Sequence, residues 1–174
     1  PKSPYGITKL DGEYYLQMYN QEYGLGTASL RYFNVFGPGQ DPNSHYAAAI
    51  PIFVSKALKN EPLTVFGDGL QTRDFVFVKD VVLANVLAAK TPLAIGVYNV
   101  ARGESITIKE MAELVIQQTE STSELIYAEE RPGDIKHSLA SIEETKDALS
   151  FDPKYELVEG LKQTVQYFMD LFKV

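Results

Sequence analysis

The chain has no cysteine, which removes disulfides, thiolate metal sites and the thiol nucleophile at a stroke. Histidine is nearly absent as well. His45 and His137 stand alone, too few and too isolated to make a metal cluster. No stretch reaches the roughly 20 apolar residues of a membrane span, and the N-terminus has neither the charged nor the apolar region of a leader peptide, so a cytoplasmic protein is expected. Arginine occurs only at positions 31, 73, 102 and 131, and any bidentate phosphate clamp must draw on those four. The net charge of −7 and a pI near 4.9 argue against nucleic acid or an anionic membrane surface as partner. What is present is ordinary: 45% hydrophobic and 22% charged residues over 174 positions, enough for one domain with a core and no repeat or linker.

One further absence concerns cofactors. A dinucleotide site of the Rossmann type needs glycines in a strand-to-helix turn, so that a pyrophosphate can approach the backbone. Gly37-Pro38-Gly39 runs into a proline-containing loop, and Gly67-Asp68-Gly69 precedes another strand. Neither meets the requirement.

The elements read as mixed α/β. A helix is expected from about Tyr5 to Tyr23, ended by Gly24-Leu25-Gly26, and a buried strand over Thr27–Phe33. Asn34–Ser44, with Gly37, Pro38, Gly39 and Pro42, reads as a loop in which ligand contacts are expected. Tyr46–Lys59 reads as a helix interrupted near its start by Pro51. Leu63–Phe66 and Phe75–Val78 read as a compact strand-turn-strand unit. Asp80 is expected to cap a helix running to Lys90, and Gly96–Val100 reads as a strand. Thr107 opens a helix with Glu110 at capping-box spacing. Glu124–Ala128 reads as a strand, with helices over Ser141–Leu149 and Glu156–Phe172.

Tyr5 and Lys9 lie four residues apart, which on a helix stacks a phenol beside an ammonium. That neighbour favours the phenolate and makes Tyr5 a candidate general base. A surface tyrosine beside a solvated lysine has the same spacing, so the pair needs support from other motifs.

Three downstream motifs supply it. Pro4-Tyr5-Gly6-x-x-Lys9, Arg31-Tyr32-Phe33-Asn34-Val35-Phe36-Gly37-Pro38, Phe66-Gly67-Asp68-Gly69-x-x-Thr72-Arg73-Asp74-Phe75 and Arg131-Pro132-Gly133-Asp134 resemble, in order and spacing, the extended short-chain dehydrogenase/reductase family. Within it the chain is most similar to the UDP-sugar 4-epimerases. The resemblance covers essentially all 174 residues.

The resemblance implies the C-terminal half of an enzyme about twice this long. Residues 1 to about 35 would complete a Rossmann domain, about 36 to 174 would form a small mixed α/β substrate-binding lobe, and the NAD-binding half would lie upstream. It implies NAD as cofactor and a UDP-sugar as substrate. Tyr5 would be the base at the sugar C4 hydroxyl, Lys9 would hold the nicotinamide ribose and lower the Tyr5 pKa, and Tyr32 would lie near the nicotinamide. Asn34, Arg73 and Arg131 would bind the diphosphate, with pairing of the arginines to Asp74 and Asp134 as the alternative. Ala48, Ala49, Thr64 and Phe66 would surround uracil and ribose, or else be packing residues, and Asp134 would touch the ribose or brace an arginine, or simply cap the turn.

Ser138 matches a position at which a small residue leaves room for an acetamido group. UDP-N-acetylglucosamine would then be accepted as well as UDP-glucose, and the chain alone would be inactive. A nucleotide-sugar 4,6-dehydratase, a UDP-glucuronate decarboxylase and a non-catalytic nucleotide-sugar-binding lobe remain as alternatives. A homodimer is expected, built from the helices over Tyr14–Tyr23 and Val81–Ala89.

Overall fold

The computed structural model describes residues 1, 3–44 and 48–173. Helix α1 spans Pro4–Tyr23. Ser3 caps it by accepting from the Gly6 N–H at 3.0 Å, Pro4 occupies its first turn, and Gly24 closes it in the left-handed conformation. No side chain of α1 is buried among the described residues. Tyr14, Tyr15, Met18, Tyr19 and Tyr23 all face outward.

Strand β1 (Ala28–Tyr32) pairs in parallel with β6 (Gly96–Val100). It is half-buried to exposed rather than the buried strand expected from its apolar run. At Phe33 the chain changes sheets. Phe33 N donates to Val100 O and Asn34 N to Asp74 O, so residues 34–36 form β2, parallel to β5 (Phe75–Phe77). The loop expected from Asn34 therefore begins only after Phe36. The three residues ahead of Gly37 are held by a partner strand 41 positions away in register, Asn34 opposite Phe75, which local composition does not reveal.

Helix α2 covers Ala49–Ala57. Pro51 lies in its first turn, where a missing N–H costs nothing, so it does not interrupt the helix; Tyr46 and Ala47 of the expected segment lie outside the described residues. Strand β3 (Leu63–Phe66) pairs with β8 (Leu125–Ala128), and β4 (Thr72–Arg73) pairs antiparallel with β7 (Ile106–Thr107). The strands flanking Gly67-Asp68-Gly69 thus join different sheets rather than each other. Gly69 has φ +76, and a side chain there would collide with Val65 and Lys109.

Helix α3 runs Val78–Lys90, α4 Ile108–Gln118, α5 Glu143–Leu149 and α6 Leu157–Phe172. The capping box of α4 forms as expected, with Thr107 and Glu110 exchanging hydrogen bonds. Asp80, in contrast, does not cap α3. It is buried in the first turn and accepts from the backbone N–H groups of Lys154 and Tyr155, fastening the segment ahead of α6 to α3.

Strand β5 is buried on both faces, and its alternation divides the core. Phe75 and Phe77 join Phe36, Phe53, Val54, Met111, Leu161 and Phe168 on one side. Val76 joins Val81, Tyr98, Val100 and Phe151 on the other. Gly160 of α6 packs so closely that an added Cβ would sit within 2.9 Å of Phe77 and Phe36.

Candidate active site

A cavity of about 470 Å³ opens where β2, α2, β3, β4 and the turn after β8 meet. Asn34, Ala48, Ala49, Thr64, Phe66, Arg73, Arg131 and Asp134 line it. Every substrate-binding candidate read from the sequence is therefore there except Ser138. That residue is half-buried and hydrogen-bonds Thr72 O through its backbone N–H at 3.1 Å, beside β4 but off the cavity wall.

The four arginines sort by their partners. Arg31 grips the Glu13 carboxylate with two bonds of 2.6 Å; those bonds lower the Glu13 pKa and raise that of Arg31. Arg102 is committed to Glu104 and Glu156. Arg73 and Arg131 are the two that face the cavity.

Arg73 is fixed by its surroundings: Nη1 donates to the carbonyl oxygens of Thr72 and Ile135, and Nη2 to Asp134 Oδ1. The Arg73–Asp134 pair anticipated as an alternative does form, but the guanidinium carries five N–H donors, and its Nε–H remains uncommitted toward a ligand. Arg131 makes no ion pair among the described residues. Its guanidinium lies over the Phe66 ring, 3.8 Å from the centroid, an attractive cation–π contact. Asn34 donates to Asp74 O at 2.9 Å, which leaves the amide oxygen and second N–H free. Together these groups form an anion grip next to an aromatic platform.

Asp74 pairs with no arginine side chain. Fully buried, it accepts from the backbone N–H groups of Arg102, Gly103 and Ala140. Burial raises its pKa, and these hydrogen bonds oppose the rise.

Tyr5 and Lys9 lie outside the cavity wall, on the exposed face of α1. The Lys9 ammonium sits 5.2 Å from the centre of the Tyr5 ring, and Tyr5 is 71% exposed. Tyr32 is also exposed and donates to Asn85 Oδ1 at 2.9 Å. The phenol and the ammonium are thus presented together on one open helix face.

Sequence reading missed Gln71 and the α2 residues Ile52, Phe53 and Lys56, which also line the cavity. The signal was available. Ala49, Ile52, Phe53 and Lys56 recur at i, i+3, i+4 and i+7, one face of a helix. A larger hollow of about 640 Å³ beside α4, rimmed by Glu104, Glu110, Glu113 and Glu156, lacks the anion grip.

Parallel strand pairs, interleaved helices and a pocket lined by Asn34 of β2, Arg73 of β4 and Arg131 after β8 make a Rossmann-type α/β protein with a nucleotide-sized pocket. Residues 1–101 match the model of the NAD dependent epimerase/dehydratase family, and the chain belongs to that family. It is 46% identical to a UDP-N-acetylglucosamine 4-epimerase of Methanobrevibacter ruminantium solved with UDP-N-acetylmuramic acid, at a TM-score of 0.94 over 98% of this chain and 55% of that one. It is 40% identical to the Thermotoga maritima UDP-glucose 4-epimerase solved with UDP-glucose, at a TM-score of 0.93 over 99% and 55%. The UDP-glucose 4-epimerase of Mycolicibacterium smegmatis is 34% identical over 97% of this chain and 53% of its own length. The chain spans about half the length of the relatives it matches.

Proposed function

We propose that the full-length protein is an NAD-dependent UDP-sugar 4-epimerase, acting on UDP-glucose/UDP-galactose and on the N-acetylated pair UDP-N-acetylglucosamine/UDP-N-acetylgalactosamine. The observation that carries the proposal is the cavity itself, which gathers Asn34, Arg73, Arg131 and Asp134 beside Phe66, Thr64, Ala48 and Ala49. A diphosphate takes the arginines, and a flat base takes the apolar wall. In this reading residues 1 to about 35 complete the Rossmann domain and the rest forms mainly the nucleotide-sugar lobe.

Tyr5 takes the proton of the sugar O4 hydroxyl and later returns it. Lys9 and Tyr32 hold the nicotinamide end of the cofactor. When bound, NAD supplies the hydride acceptor at C4. The hydride taken from the sugar C4 would leave a 4-keto sugar and NADH, and the same hydride would return to the opposite face once the sugar has turned; Arg73 and Arg131 would keep the diphosphate in place meanwhile. These 174 residues alone are inactive, because no phosphate-cradling turn is encoded in them. The outward aromatic face of α1, with Val82 and Val86 of α3, supports a homodimer, and the protein is cytoplasmic.

A relative named dTDP-glucose 4,6-dehydratase, from Xanthomonas campestris pv. campestris, 30% identical over 97% of this chain and 50% of its own length, supports a second reading with the same 4-keto chemistry. The product separates the two: a C4 epimer for the epimerase, a 4-keto-6-deoxy sugar for the dehydratase.

A further inference from the structure

We infer that Lys56 reads the pyrimidine of the bound nucleotide, donating to a ring carbonyl and so selecting a uracil-type base over cytosine. The inference rests on the reading of the cavity as a nucleotide site.

Lys56 occupies the last turn of α2 and is half-buried on the cavity wall. It has no hydrogen bond, ion pair or ring contact among the described residues. Lys59 and Lys79 lie against aromatic rings, Lys109 and Lys154 pair with carboxylates and Arg73 pairs with Asp134; the side chains of Lys90, Lys136, Lys146, Lys162 and Lys173 share the lack of such a contact but are exposed, whereas Lys56 is half-buried. A half-buried lysine on a cavity wall whose ammonium has no protein partner among the described residues is available to an acceptor supplied by a ligand.

Its position on α2 indicates which part of the ligand. The arginines of the anion grip come from β4 and the turn after β8, Arg73, held by Asp134, and Arg131. Lys56 comes from a different element, on the same helix face as Ile52 and Phe53. Its methylene stem can lie along that apolar wall while the ammonium reaches a polar edge. Ile52, Phe53 and Phe66 give the cavity apolar walls that suit a planar base, and a donor at their margin reads the base edge. Lysine has three donors and no acceptor. It therefore matches the O4 carbonyl of uracil and opposes the amino group that cytosine carries at C4; the O2 carbonyl, common to both bases, would not discriminate.

The test is calorimetric binding of UDP and CDP to the full-length protein, as wild type, Lys56→Met and Lys56→Gln. Methionine keeps the stem and removes the donors; glutamine can donate or accept. Wild type should prefer UDP, and Lys56→Met should bind UDP about tenfold more weakly with CDP unchanged. Lys56→Gln should bind the two nucleotides with nearly equal affinity. Equal losses for UDP and CDP would place Lys56 on the phosphates and overturn the inference, as would no change for either. If wild type binds UDP normally and only these outcomes fail, the nucleotide reading survives without Lys56. If wild type binds no uridine nucleotide, both readings fall.

Discussion

The Arg73 guanidinium donates to the Asp134 carboxylate and to the backbone carbonyls of Thr72 and Ile135, so a turn 61 to 62 residues downstream sets the pose of a β4 side chain. Lysine cannot reproduce that fork. Arg73→Lys should raise the KM for UDP-sugar about tenfold while kcat stays within about threefold, the pattern of an interaction made equally in ground and transition states. Steady-state kinetics on the full-length protein check this. An unchanged KM would remove Arg73 from the binding site.

Tyr5 is exposed on α1 with Lys9 against its ring, and no buried contact depends on its hydroxyl. Tyr5→Phe should therefore fold normally and bind UDP as wild type does, yet lose about 10²- to 10⁴-fold in kcat, the usual scale for a general base. Turnover near the wild-type rate would assign the base elsewhere.

Asp74 meets three backbone N–H groups with a carboxylate that burial has pushed upward in pKa. Asp74→Asn turns one oxygen into a donor facing N–H groups and should cost about 2–3 kcal/mol in urea unfolding. The pH dependence follows from the direction of the shift. With its folded pKa above the unfolded value of about 3.9, Asp74 contributes stability at acid pH that fades as pH rises through the folded pKa. The stability gap between wild type and the variant should narrow with rising pH across that window. A gap that widens would contradict the burial effect.

Ser138 hydrogen-bonds β4 at Thr72, next to Arg73, without reaching the cavity wall. On the proposal that a small residue at position 138 leaves room for an acetamido group, Ser138→Tyr should abolish turnover of UDP-N-acetylglucosamine and spare UDP-glucose. Comparing the two rates decides it; equal survival of both would show that the acetamido group is accommodated elsewhere.

Local signals carried much of the architecture. Ser3-Pro4 and Gly24 bounded α1, Thr107 and Glu110 announced the capping box, and Gly67 and Gly69 marked a tight turn. Where partners are distant, the sequence was silent. Asn34–Phe36 is a strand because Phe75–Phe77 lies beside it, and Asp80 serves the segment ahead of α6 rather than its own helix end. The site divides in the same way. The motif residues Asn34, Phe66, Arg73, Arg131 and Asp134 converge on the cavity, whereas Lys56 belongs to no motif quoted above and Gln71 is an unspecified position within one. They become visible only once α2 and the segment ahead of β4 are seen to form its walls.

The central claim is tested most directly by supplying the full-length protein with NAD and UDP-N-acetylglucosamine, and separately UDP-glucose, and resolving the products by proton NMR. The account predicts the C4 epimers, UDP-N-acetylgalactosamine and UDP-galactose, with no net accumulation of NADH. A stable 4-keto-6-deoxy sugar, or stoichiometric NADH, would contradict it.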